Sequence, residues 1–178
     1  MVTLFFFFFF LIIIFSIMGA LRGWAKEILV TFSVILALAL LTALQSYVPF
    51  YRSALQAAGP KVQFWTQAIV VILMVFFGYQ TPNFPKFAGA RFARERLQDT
   101  LLGLFIGAFN GYLIVGTLWF FMIQTGYPFP QITPPVAGTP AGDAALKIIP
   151  YLPPEWLGVP FVYFAVIISF VFVIIVFL

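Results

Sequence analysis

The residues able to do chemistry are few, and they gather at the ends of apolar runs. There is no histidine and no cysteine, which removes Cys/His metal sites and disulfide frameworks. The first polar constellation is R-G-W-A-K-E, from Arg22 to Glu27. If this stretch is helical, Arg22 and Lys26 lie four residues apart and share a face. Two cations there can grip a lipid phosphate or an acidic partner, or simply anchor the cytoplasmic side of a span. The second constellation gathers Lys86, Arg91, Arg94 and Arg96 beside Glu95 and Asp99. Such a basic cluster attracts anionic lipid headgroups by about 1 kcal/mol per charge. Inside the apolar runs there is no carboxylate pair, thiol or serine-based dyad to act as acid, base or nucleophile. No phosphate-binding loop is present either. The residues therefore point away from an enzyme and call for no metal and no cofactor.

The elements that carry these groups are hydrophobic. Of 178 residues, 63% are hydrophobic and 8% charged, against about 25% charged in a soluble domain. Mean hydropathy is +1.11. In lipid the backbone must satisfy itself, so the expected fold class is an all-α membrane protein. Five runs read as spans at about 4–21, 28–48, 62–80, 100–124 and 161–178, each near the ~20 residues that cross a bilayer. Phe5 to Phe10 reads as lipid-facing filler. The first run has its positive charges after it, at Arg22 and Lys26, which favours an uncleaved span over a signal peptide. Pro49 ends the second run, and 49–61 reads as a linker with the breaker pair Gly59-Pro60. Gln63 and Gln67, near the start of the third run, read as interfacial residues among headgroups. Residues 84–99 read as an amphipathic segment on the cytoplasmic membrane surface. Residues 126–160 hold nine of the 13 prolines and read as a membrane-hugging loop with a short helix over 141–149.

Asp99 precedes the fourth run, where a carboxylate can cap that helix and oppose its dipole. Gly103, Gly107 and Gly111 then repeat every fourth residue, a groove in which a second helix can approach closely. That second helix can belong to this chain or to another subunit. Asn110 lies beside the groove. A buried amide there acts as interhelical glue worth about 0.6–2 kcal/mol, or else marks a transport path. Arg22, Lys26, Lys86, Arg91, Arg94 and Arg96 fall on one side, and Arg52, Lys61 and Lys147 on the other. The richer side is expected in the cytoplasm, with the N-terminus out and the C-terminus in. The net charge of +4 is too dispersed for nucleic acid.

Two pieces of the chain, L-R-G-W-A-K-E after the first span and D-T-L-L-G-L-F-I-G-A-F-N-G opening the fourth, resemble the CvpA family, the colicin V production proteins of bacterial inner membranes. The matching residues are Arg22, Gly23, Lys26, Glu27, Asp99, Gly103, Gly107 and Gly111. The resemblance covers about residues 1–125, a four-span core, with a fainter match around 146–152; the fifth span is an addition. Many members carry an acid where this chain has Phe5 and an arginine where it has Asn110, so an intramembrane charge pair available to them is lost here. The resemblance implies a bacterial cytoplasmic (inner) membrane protein with a role in colicin V export or envelope upkeep, working through other membrane proteins or a homo-oligomer. Two other classes stay open. One is an accessory subunit of an energy-converting complex, with a Phe-rich span lining pigment, quinone or lipid. The other is a small channel or transporter.

Overall fold

The computed structural model describes residues 4–80 and 93–177. The protein is an all-α helical bundle, with no strand among the described residues. Its elements are α1 (Leu4–Arg22), α2 (Trp24–Tyr47), α3 (Pro49–Ala57), α4 (Pro60–Tyr79), α5 (Ala93–Gln124), α6 (Pro140–Ile148), a 3₁₀ turn (Ile149–Tyr151), α7 (Pro153–Trp156) and α8 (Phe161–Phe177). Four helices, α1, α2, α4 and α5, are long and apolar enough to cross a membrane. Their outward faces are as apolar as lipid: Phe6, Phe10, Phe77 and Phe105 are each more than half exposed. These helices make a multi-pass membrane protein. A further apolar pair is bent, with Pro140–Trp156 and Phe161–Ile175 meeting at 64°.

Sequence explains most helix ends. Pro49 and Pro60 each open a helix at its first position, where the missing N–H costs nothing and the fixed φ suits the first turn. Pro49 therefore starts α3 as well as ending α2, and the expected linker 49–61 contains a two-turn helix. The polar turn expected over Arg22–Glu27 shrinks to Gly23 alone, with α1 ending before it and α2 starting after it. α5 begins at Ala93, seven residues before the expected Thr100, because R-E-R-L-Q-D contains only residues tolerant of helix. Its 32 residues run about 48 Å, so its first turns project beyond a ~30 Å hydrocarbon core. Of the expected surface segment 84–99, the part 84–92 lies outside the described residues, and the remainder is the start of α5.

α2 and α5 form the centre, with Val30, Val34 and Leu113 fully buried. α1 lies along α5, α4 sits against α2 and α5, and α8 runs along α2, with the Phe170 ring near that of Phe32. α8 therefore belongs to the same bundle. Phe8 interrupts the lipid-facing reading of Phe5–Phe10: it is buried and its ring sits 5.3 Å from that of Trp119. The proline-rich loop is tucked in rather than laid on top. Leu152 and Pro153 are buried, the Trp156 indole N–H donates to the Tyr112 hydroxyl at 2.9 Å, and that hydroxyl donates to the Tyr151 carbonyl. Thr139 caps α6 by accepting from the Gly142 N–H.

Candidate functional site

Close approach of α1 to α5 builds the site. A Cβ on Gly19 would collide with the Gly103 carbonyl and the Gly107 Cα, and one on Gly103 would collide with Gly19 in return. Gly111 likewise leaves room for Phe15 and Ile12. The glycine groove is thus filled by a helix of the same chain. Backbones this close gain dispersion contacts that side chains would block. Ser16 adds a hydrogen bond, its hydroxyl donating to the Leu104 carbonyl at 3.0 Å. Gly19, the one glycine of the first apolar run, was the sequence signal for this partner.

The α1–α2 junction then falls directly against α5. Gly23 has φ 85°, a region open chiefly to glycine, and its α-carbon faces the Asp99 carboxylate, leaving no space for a Cβ. The Trp24 backbone N–H donates to Asp99 Oδ1 at 3.3 Å. This corrects the expected role of Asp99. It lies two turns inside α5, where the N–H groups are already bonded, and it serves the start of α2, the helix whose N–H groups are open.

One turn further into α2, Glu27 is fully buried. Its Oε1 accepts from Arg22 Nη1 at 2.6 Å, and its Oε2 accepts from Asn110 Nδ2 at 2.8 Å. Asn110 Nδ2 also donates to the Glu27 carbonyl at 2.9 Å. The Asn110 Oδ1 accepts from the Thr31 hydroxyl at 2.6 Å. Arg22, 21% exposed, uses Nη2 to donate to the Tyr79 carbonyl at 3.1 Å and stacks on the Tyr79 ring at 4.3 Å. One guanidinium, one carboxylate and one amide thereby tie α1, α2, α4 and α5 together at one end of the bundle.

This cluster revises one expectation. Arg22 and Lys26 do not share a helical face, because Gly23 breaks the helix between them and turns Arg22 back onto Glu27. Arg22 and Glu27 form a buried ion pair, and Asn110 serves the other carboxylate oxygen. Sequence reasoning missed Tyr79 and the cross-helix bond of Thr31, whose hydroxyl is also of the kind that bonds back to its own helix. Thr31 makes that bond too, to the Glu27 carbonyl at 3.2 Å. Lys26 is half-buried near the junction and Arg96 is exposed on α5. Arg94 lies in the first turn of α5, while Lys86 and Arg91 lie outside the described residues.

A carboxylate whose oxygens are taken by a guanidinium and an amide is held as a helix clasp rather than presented to a substrate. Among the described residues, no group of three or more His, Cys, Asp or Glu could hold a metal ion. No family model matches this chain, and no curated protein and no solved structure matches it.

Proposed function

We propose that this chain is a non-enzymatic, CvpA-like protein of a bacterial inner membrane, acting by contact with other membrane proteins in export or envelope maintenance. One observation supports this reading above the rest. The two sequence pieces that resemble the CvpA family meet in space: Gly23 and Trp24 lie on Asp99, and Gly23 lies against Gly103. That two pieces 75 residues apart close into one junction supports reading them as one motif. With the glycine groove filled from within, contact with partners falls to the apolar outer faces of α1 and α4. The test is deletion of the gene in its own bacterium. Raised envelope permeability or lost colicin V export, restored by the intact chain, supports the reading; a deletion strain unchanged in both sinks it.

A second reading has its own observation. A crevice of about 260 Å³ between α2, α5 and α8 is lined by Phe32, Phe109, Phe172, Thr31 and Ser169, among others. It suits an apolar tail or ring and favours an accessory subunit of a larger membrane complex. Purification in mild detergent followed by native gel separates the two: a fixed stoichiometry within one large complex favours the subunit.

A further inference from the structure

The bundle end opposite Arg22 holds a second polar site. A cavity of about 220 Å³ lies where α2, α3, α4 and α5 come together, and its polar lining is Gln45, Arg52, Gln56, Gln63, Gln67 and Gln124. No acid lines it. Each amide brings two N–H donors and one acceptor, and the guanidinium brings five donors and no acceptor. The lining therefore presents an excess of donors and one positive charge.

Gln67 is the informative member. It was expected among headgroups at the interface, yet it is only 3% exposed, seven residues into α4 and so about 10 Å below the start of that helix. Its Oε1 is buried with no hydrogen-bond partner. Gln67 lines the cavity and a buried acceptor left unpaired is costly, so a donor at the floor toward which this amide turns would satisfy it. Gln63 is partly committed, donating to the Ala58 carbonyl at 2.8 Å. Arg52, Gln56 and Gln124 are exposed at the rim. The ligand that fits is an anion at the rim joined to a hydrogen-bond donor at the floor.

We propose that this cavity binds the headgroup of a phospholipid that carries an N–H or O–H donor. Arg52 and the amide N–H groups take the phosphate, a pairing favoured by charge-assisted hydrogen bonds. The headgroup ammonium or hydroxyl donates to Gln67 Oε1. The cavity lies at the ends of membrane helices, with Gln124 the last residue of α5 and Gln45 two residues from the end of α2, so a lipid of that leaflet reaches it without leaving the bilayer.

The test uses the full chain, delipidated in mild detergent and titrated by native mass spectrometry. Phosphatidylethanolamine, which has N–H donors, is expected to bind about tenfold more tightly than phosphatidylcholine, the worth of one charge-assisted hydrogen bond. Gln67→Leu removes that preference, Gln67→Glu keeps it, and Arg52→Gln weakens both lipids. Equal affinity for the two lipids, or a preference that survives Gln67→Leu, overturns the proposal. Glycerophosphoethanolamine binding as tightly as the lipid overturns the membrane source and makes the ligand a soluble phosphate ester. Should Gln67→Leu fail to fold, Gln67→Met provides the same reading.

Discussion

Removing the Arg22 guanidinium strands a carboxylate that is fully buried. The cost of breaking a buried pair on one side only is about 3–5 kcal/mol, because the remaining charge keeps its desolvation penalty without its partner. Arg22→Ala is therefore expected to lower stability by an amount near that range, read by SDS-titrated unfolding in detergent micelles. Because Arg22 is 21% exposed, water relieves part of the loss and the lower end is expected. Arg22→Leu combined with Glu27→Leu removes both charges together, so it costs less than the two single changes added. A fully additive double variant would mean that the 2.6 Å contact is incidental. Asn110→Leu leaves Glu27 Oε2 and the Thr31 hydroxyl without their cross-helix partner. It is expected to cost about 1–3 kcal/mol, the range for an unsatisfied buried polar group. No loss at Asn110 would remove the amide from the clasp.

At the scale of elements, the contact of α1 with α5 decides whether the clasp can form. Gly107→Ile places a branched side chain against the backbone of Phe15 and Gly19, where nothing flexible can yield. α1 is expected to lift from α5, taking Arg22 away from Glu27. With no native cysteine, Ser16→Cys and Leu104→Cys can be paired through a short bis-maleimide. Cross-linking in the parent and its loss in Gly107→Ile is the expected pattern, and equal cross-linking in both would show that the glycines are dispensable. How far the sequence revealed these elements depends on what kind of interaction shaped each one. The long helices were legible because uncharged runs near 20 residues have few alternatives in lipid. The glycine period was legible as a groove, but its occupant was not, because a small-residue stripe specifies close approach and not identity. α3 was hidden because a short polar stretch between Pro49 and Gly59 reads locally as a linker. The burial of Glu27 was hidden for a different reason. Beside Lys26 in a polar turn it looked solvated, and only the tertiary approach of α1, α4 and α5 seals it.

Over the whole molecule, charge and depth must agree on one orientation. The junction places Arg22, Lys26 and Arg96 at one end and the helices carrying Arg52, Lys61 and Lys147 toward the other. With Arg94 in the first turn of α5, the described residues carry four cations toward the clasp end against three toward the other, and by the positive-inside bias we propose that the clasp end faces the cytoplasm. α8 tests this assignment independently. Its 17 residues span about 26 Å, slightly less than a ~30 Å core, a mismatch that local thinning of the bilayer absorbs at modest cost. It contains no charge to resist insertion, and its face against α2 keeps it within the bundle. If it crosses, a tag fused after Leu178 lies on the same side as Gln98. Single cysteines at Gln98 and Lys147, both exposed, provide the reference points. An impermeant maleimide applied to intact cells is expected to label Lys147→Cys and to spare Gln98→Cys and a cysteine-bearing C-terminal tag until the membrane is permeabilised. Labelling of the tag with Gln98→Cys still protected would make Pro140–Phe177 a re-entrant hairpin and the protein four-span. Labelling of Gln98→Cys with Lys147→Cys protected would invert the molecule and place the clasp outside.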